Sequence, residues 1–236
     1  MDLQRKTRPL VIGHRGAPVD APGNSLEGLA AALAAGADIV EFDVGLGLLL
    51  GHPGEEVPDP PISLAGALAY LAPHPIGIQI DLKRPGIELE VGRAVEASGL
   101  GERVIVSSTW GRSLGRLERG APALTRVIGY PRDRLGAANL AWPPSVSRGS
   151  AAALRALMPL RARRLLSRGA PAAIALHHAL VSPGVIAVTH ARGAALIAWT
   201  VNEPAVVVSL AELGVDAIVS DDPRMALAAL ATLGGP

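Results

Sequence analysis

Charged and polar residues interrupt the apolar runs of this sequence at a few regular places. Those near the ends of the first three runs are His14, Arg15, Glu41, Asp43, Asp81 and Lys83. Glu41 and Asp43 are two residues apart, so on a β-strand their side chains point to the same face. Two carboxylates in a small volume repel each other unless a cation or a shared proton intervenes. The spacing therefore predicts a site for one hard divalent cation, Mg²⁺ or Ca²⁺, with Asp81 as a third oxygen ligand.

Other polar residues of the same runs suit a phosphate ester as the small-molecule partner. Arg15 and Lys83 would add positive charge beside the cation, and the N–H fork of a guanidinium group matches phosphate oxygens. His14 and His52 could act as base and acid, because imidazole titrates near neutral pH. Trp199 ends a later apolar run, where its large surface and single N–H donor suit the wall of a ligand pocket.

Short apolar runs alternate with alanine-rich helical patterns along the chain. The predicted strands are Leu10 to Gly13, Ile39 to Val44, Gly77 to Leu82, Val104 to Ser107, Ala123 to Ile128, Ala172 to Leu176, Ala195 to Val201 and Ala217 to Val219. The predicted helices are Ser25 to Ala35, Ser63 to Leu71, Ile87 to Ser98, Gly111 to Arg119, Ala151 to Ser167, Pro183 to Arg192, Pro204 to Leu213 and Pro223 to Leu233. Eight strand and helix pairs predict an α/β fold, a (β/α)₈ TIM barrel that forms a single domain over residues 1–236. A doubly wound open sheet is the alternative. In a barrel, the strand ends meet at one mouth and would bring the chemical residues together.

The composition excludes several classes of protein. The 236 residues carry a net charge of +1 with 3% aromatic residues, which argues against a nucleic-acid partner. Cysteine is absent, so disulfides, thiolate metal sites and a cysteine nucleophile are excluded. No uninterrupted apolar stretch is long enough to predict a membrane span. The N-terminal sequence lacks the pattern of a secretory signal, so we expect a cytoplasmic protein. The sequence does not predict an oligomeric state.

Four stretches together resemble the glycerophosphodiester phosphodiesterase family. They are "GHRG", "GNSLEGLAAALAAGADIVEFDV", "IQIDLK" and "LIAWTVNEPAVVVSLAELGVDAIVSDDP". The resemblance covers both ends of the chain in the right order, whereas the middle matches only in its alternation of strands and helices. It implies a (β/α)₈ enzyme that hydrolyses glycerophosphodiesters to glycerol 3-phosphate and an alcohol with a divalent metal.

The resemblance also implies a role for each matching residue. His14 would be one of the acid/base pair, and His52 is the nearest candidate for the second histidine. Arg15 would hold the phosphate, and Lys83 would contact the phosphate or an oxygen on the metal. The implied metal ligands are Glu41, Asp43 and Asp81, the last at a position where the family more often has Glu.

The sequence departs from the family pattern around His52. "VGLGLLLG" separates Asp43 from His52, is shorter than the usual segment and lacks its Thr-x-Asp-Gly turn, and Pro53 replaces the usual Asp. These departures favour a second hypothesis, a non-catalytic or weakly catalytic barrel that binds a phosphate ligand. A third hypothesis is a barrel isomerase or aldolase acting on a sugar phosphate, in which Lys83 would have to form a Schiff base.

Overall fold

The structure is a computed structural model of the chain, and it describes residues 1–4, 7–53, 60–131, 144–167 and 170–234. Eight parallel strands form a closed barrel in chain order. The strands are β1 (Leu10–Gly13), β2 (Ile39–Val44), β3 (Gly77–Leu82), β4 (Val104–Ser108), β5 (Thr125–Tyr130), β6 (Ala173–His177), β7 (Ala195–Trp199) and β8 (Ala217–Ser220). The helices are α1 (Leu26–Ala35), α2 (Leu64–Leu71), α3 (Glu88–Ser98), α4 (Gly111–Gly120), α5 (Pro144–Leu166), α6 (Pro183–His190), α7 (Pro204–Leu213) and α8 (Pro223–Ala231). Because β1 pairs with β8, the predicted TIM barrel is confirmed and the open sheet was the wrong alternative.

Most predicted elements differ from the structure at one or both ends, and the differences at β5 and α5 have an identifiable physical reason. The fifth strand was predicted from Ala123, but it begins at Thr125, which pairs with Ile105 of β4. The preceding residues form a turn in which the Leu124 N–H donates to the Ala121 carbonyl. Helix α5 begins at Pro144 and not at Ala151. Proline suits the first position of a helix, where its missing N–H would have no intrahelical partner.

Serine caps fix where several helices begin, and therefore where the preceding loops end. The Ser25 hydroxyl accepts a hydrogen bond from the Gly28 N–H at the start of α1. The Ser63 hydroxyl does the same for the Gly66 N–H at the start of α2. Each bond satisfies one of the N–H groups that a helix start leaves without an intrahelical acceptor.

Inside the barrel, an apolar layer supports the polar residues above it. Leu3 and inward-facing strand residues form a buried cluster that fills the barrel from its N-terminal end; its strand members include Ile12, Ile39, Ile105, Val127, Ala175, Ile197 and Val219. Strand side chains alternate between faces, so the next inward position lies two residues further along each strand. That step places polar side chains in the layer at the mouth: His14, Glu41, Ser107, His177, Trp199 and Asp221.

The outer core joins the barrel to the helices. Phe42, Ile78, Ile80, Val106 and Leu176 are buried between strands and helices. Among the described residues, no helix is both long and apolar enough to cross a bilayer.

Candidate active site

Three carboxylates converge at the mouth, at the ends of β2 and β3. The register pairs Asp43 with Asp81, and Glu41 lies one inward position below Asp43. One carboxylate oxygen from each residue lies within 4.8 Å of the others. Asp43 Oδ1 is buried and has the charged Lys83 Nζ 2.7 Å away. Three carboxylates that converge in this way form an all-oxygen set of the kind that fits a hard divalent cation such as Mg²⁺ or Ca²⁺.

Two cationic side chains already lie against this cluster. Lys83 Nζ contacts Asp43 Oδ1 at 2.7 Å and Asp81 Oδ2 at 2.6 Å, while Arg15 Nε lies 3.1 Å from Asp43 Oδ2. Burial alone would lower the pKa of Lys83, but the charges of Asp81 and Asp43 outweigh it and raise the pKa above its usual range. Lys83 is therefore held as a cation, which argues against the Schiff-base hypothesis because an attacking amine must be neutral.

The pKa values of the two β2 carboxylates are driven apart. Burial, followed by the charge of Asp43, raises the pKa of Glu41 to about 8. Burial would also raise the pKa of Asp43, but the nearby charges of Lys83 and Arg15 outweigh it and lower the pKa. Asp43 is thus the carboxylate whose charge the surrounding residues favour most, and Glu41 is the one that would gain most from a bound cation.

Backbone hydrogen bonds lock the end of β1 onto the end of β2. The Arg15 N–H donates to Glu41 Oε2 at 2.7 Å, and the Gly16 N–H donates to the Glu41 carbonyl at 3.0 Å. Arg15 has a positive φ of 52°, an uncommon conformation that clusters at functional sites. Gly16 has a φ of 92°, and a Cβ there would lie 2.4 Å from the carbonyl of Gly28. Only glycine fits this position.

Asn24 in the β1–α1 loop holds Asp43 in place. Its Nδ2 donates to Asp43 Oδ2 at 3.2 Å, and its Oδ1 accepts from the Asp43 N–H at 2.9 Å. The Asn24 N–H in turn donates to the Arg15 carbonyl. Asn24 therefore ties the loop after β1 to Asp43 by two hydrogen bonds, and a third bond closes the loop on itself.

His14 is oriented by a carboxylate from the opposite end of the chain. Its Nδ1 lies 2.6 Å from Asp221 Oδ1, and Asn202 contacts the other oxygen of Asp221 through its Nδ2. With Nδ1 bonded to the carboxylate, Nε2 is the ring atom left to exchange a proton with a ligand. Burial alone would lower the pKa of His14, but the Asp221 hydrogen bond and the Glu41 charge outweigh it and raise the pKa.

A second hydrogen-bonded pair supports Asp81 from β3 and β4. The Ser107 hydroxyl donates to Asp81 Oδ1 at 2.6 Å, and Gln79 Nε2 donates to the Ser107 hydroxyl at 3.1 Å. Ser107 and Gln79 are both buried. The chain of bonds fixes one oxygen of Asp81, while the other contacts Lys83.

His52 lies just beyond the backbone contact that ties the β2–α2 connection to β2. The Gly51 N–H donates to the Asp43 carbonyl at 3.1 Å, and Leu50 bridges to Val44. The His52 ring is half-buried, and its Nδ1 lies 3.0 Å from the carbonyl oxygen of Pro53. His52 therefore lies in the connection that leaves β2 at the end where the carboxylates are found. Residues 54–59, which follow it, lie outside the described residues.

Trp199 and His177 end neighbouring strands on the far side of the mouth. Their rings meet edge to face with centroids 5.4 Å apart. Burial, followed by the charge of His178, lowers the pKa of His177. Trp199, which was predicted to form the wall of a ligand pocket, therefore occupies an inward-facing position of β7, and the neutral imidazole of His177 lies beside it.

The structure brings most of the sequence-predicted residues to one end of the barrel and adds others. A series of direct contacts links Glu41, Arg15, Asp43, Lys83 and Asp81, and His14 lies near enough for the charge of Glu41 to raise its pKa. Sequence reasoning assigned no role to the residues that orient them, which are Asn24, Gln79, Ser107, Asn202 and Asp221. A sequence signal did exist for Ser107 and Asp221, since both lie two residues after an apolar inward position.

A family model described as the glycerophosphoryl diester phosphodiesterase family matches residues 14–47 and 79–225, more than half of the chain. The matched residues include His14, Asp43 and Asp81, whereas His52 lies in the gap between the two segments. No curated protein matches this chain.

Solved structures with sequence identities of about a fifth share the fold. A protein from Silicibacter pomeroyi DSS-3, assigned as a glycerophosphoryl diester phosphodiesterase, has a TM-score of 0.76 at 21% identity, with 98% of this chain and 96% of that chain covered. A glycerophosphodiester phosphodiesterase from Parabacteroides distasonis has a TM-score of 0.74 at 18% identity, with 97% and 99% covered. A phosphodiesterase from Oleispira antarctica, solved with the product sn-glycerol-3-phosphate, has a TM-score of 0.72 at 20% identity, with 95% and 97% covered. By the family match, this chain belongs to the glycerophosphoryl diester phosphodiesterase family of enzymes.

Proposed function

We propose that this chain hydrolyses glycerophosphodiesters to glycerol 3-phosphate and an alcohol, with one divalent cation, Mg²⁺ or Ca²⁺. The observation that carries the proposal is the convergence of an oriented histidine, two cationic side chains and three carboxylates within one barrel mouth. Membership of the family and the product bound in the Oleispira antarctica enzyme support the same substrate class. A cytoplasmic location and a small-molecule glycerophosphodiester as the partner are part of this proposal.

Glu41, Asp43 and Asp81 would hold the cation, which when bound supplies a Lewis acid that polarises the phosphodiester. Arg15 would bind a phosphate oxygen through its guanidinium N–H groups, since its backbone N–H and its Nε are already anchored to the β2 carboxylates. Lys83 would add a fixed positive charge on the same side.

The two histidines would divide the proton transfers. His14, held at Nδ1 by Asp221, would exchange a proton through Nε2, and His52 would exchange the second. One ring takes the proton of the attacking hydroxyl group, and the other gives a proton to the departing alkoxide. The attacking group is water, which gives glycerol 3-phosphate directly, or the neighbouring hydroxyl of the glycerol, which gives a cyclic phosphate that water then opens. Trp199 would form a wall for the substrate beside His177.

The test is an assay of glycerophosphocholine and glycerophosphoethanolamine with Mg²⁺, Ca²⁺ or chelator. We expect cation-dependent release of glycerol 3-phosphate, and a loss of about 10² to 10⁴ in rate for His14→Ala and for His52→Ala. His74→Ala is the matched control, because His74 follows α2 and packs on Tyr70 away from the mouth. No cation-dependent release from the wild type would refute the activity. Full activity in His52→Ala would remove that residue from the mechanism.

The alternative is a non-catalytic or weakly catalytic barrel that binds a phosphate ligand, and one observation favours it. The segment that carries His52 is short and lies between the two parts matched by the family model. Calorimetry decides between the two functions: binding of the cation and of glycerol 3-phosphate without turnover would support the alternative.

A further inference from the structure

The outer face of α5 carries apolar side chains that no described residue covers. Met158, Ala162 and Leu166 are buried against the barrel at intervals of four residues. Leu154, Leu157 and Leu160 are instead 41%, 59% and 59% exposed. At 3.6 residues per turn, these leucines share a sector of about 120° with Arg161 and Arg164. The helix therefore presents leucine and arginine side chains, interleaved, to its surroundings.

Two contacts show where this face lies along the barrel. The Arg161 guanidinium lies 4.5 Å from the ring centre of Tyr130, the last residue of β5. A Cβ on Gly184, in the first turn of α6, would lie 3.3 Å from Pro159 Cγ. Both Tyr130 and Gly184 are at the C-terminal end of the strands, where the carboxylate cluster also lies. The part of α5 before Pro159, with Leu154 and Leu157, thus extends beyond that end.

The sequence around α5 carries charge of one sign. Residues 134–202 contain eight arginines and no Asp or Glu, whereas the remainder of the chain carries an excess of acidic residues. On α5 itself, Arg155, Arg163 and Arg164 are exposed. Among the described residues, no salt bridge joins an arginine of α5 to a carboxylate.

We propose that the outer face of α5 docks on an anionic lipid bilayer. A helix with exposed leucines and arginines lies in the membrane interface, where the leucines enter the acyl boundary and the arginines meet anionic headgroups. A second copy of the chain would set arginines against arginines, which repel. Nucleic acid would leave the leucines without a partner, and the face offers no aromatic ring for stacking on bases.

Docking on this face would place the barrel mouth beside the lipid headgroups. If the proposed function holds, phosphodiesters derived from phospholipids would reach the site from that surface. The docking itself does not depend on the proposed function, and it is measured without catalysis.

The experiment is co-sedimentation of the full chain with vesicles of phosphatidylcholine, alone or mixed with phosphatidylglycerol, at low and high salt. We expect binding to the anionic vesicles that weakens as salt rises. One variant combines Leu154→Ser, Leu157→Ser and Leu160→Ser, and a second combines Arg161→Gln and Arg164→Gln. Each should bind about tenfold more weakly or worse.

A matched control carries the same kinds of change elsewhere on the surface: Leu213→Ser, Leu233→Ser, Arg93→Gln and Arg119→Gln. It should bind like the wild type, and circular dichroism checks that every variant is folded. Equal binding to both vesicle types, no binding to either, or unchanged binding by the two α5 variants would overturn the proposal. A dimer in analytical ultracentrifugation that the leucine variant dissociates would also overturn it, in favour of self-association.

Discussion

The residues at the ends of β1, β2 and β3 contact one another through their side chains, whereas backbone contacts tie the described segment before His52 to β2. The side chain of Asp43, for example, contacts Asn24, Arg15 and Lys83. The contacts that place His52 are instead the Gly51 N–H on the Asp43 carbonyl and the bridge between Leu50 and Val44. The family model follows the same division, because it matches the strand ends and leaves out the connection.

This difference indicates which residues of the site can change without disturbing the fold. At the strand ends, the register of a closed barrel fixes each side chain, and every charge has an opposite charge or a donor within reach. Removing one group there takes a contact away from several others. The β2–α2 connection carries no such network in its described part, so its length can change without disturbing the barrel.

The largest effect should come from Asp43→Ala. The change leaves Lys83 and Arg15 with fewer buried acceptors and removes the hydrogen bond that Asn24 Nδ2 donates to Asp43 Oδ2. Breaking such a network costs about 3 to 5 kcal/mol of stability. Urea unfolding in chelator measures this free energy. Asp81→Ala is the comparison, and its cost should be smaller because that side chain is partly exposed. A cost below about 1 kcal/mol for Asp43→Ala would show that the strand ends are not interlocked.

The sequence was sufficient to predict where most of the residues at the ends of β1, β2 and β3 lie. Apolar runs that end in charged residues locate β1, β2 and β3, and the two-residue spacing of Glu41 and Asp43 gives their common face. The pairing of His14 with Asp221 could not be predicted in the same way, because the residues are 207 positions apart and meet only when β8 closes on β1. The start of β5 was misplaced because an apolar pair, Ala123 and Leu124, lies in a turn.

Asp221→Asn should reduce the rate by about 10²-fold or more, because His14 loses the acceptor that fixes its tautomer and orientation. The same change lowers the pKa of His14, since burial remains and the hydrogen bond to a carboxylate is lost. On a plot of rate against pH, the limb that follows the ionisation of His14 therefore moves to lower pH, whether the ring acts as base or as acid.

An NMR titration of the His14 ring, without a cation, measures this pKa directly. Asp222→Asn is the matched control, because the Asp222 side chain caps α8 through the Met225 N–H and does not touch His14. An unchanged or higher pKa in Asp221→Asn would show that His14 is not set by the β8 carboxylate.

Ser107→Ala should weaken cation binding by about 10- to 100-fold, because Asp81 loses the donor that fixes its Oδ1. Isothermal titration with Mg²⁺ or Ca²⁺ measures the affinity, and saturating cation should restore most of the rate. Ser108→Ala is the control on the same strand, since that hydroxyl accepts from the Trp110 N–H instead. Equal affinities for both variants would show that Asp81 needs no support from β4.

The smallest effect on stability should come from His52→Ala, the counterpart of Asp43→Ala in the other half of the site. The His52 ring is half-buried, and the backbone bonds of Gly51 and Leu50 that place it do not involve its side chain. The free energy of unfolding should therefore change by no more than about 0.5 kcal/mol, even though the rate falls. The two variants are compared by urea unfolding in the same buffer with chelator. A loss above about 2 kcal/mol for His52→Ala would mean that the connection packs into the site as tightly as the strand ends do. In that case the shortened β2–α2 connection would belong to the same side-chain network as the strand ends. Only the removal of a side chain with several buried partners costs so much stability.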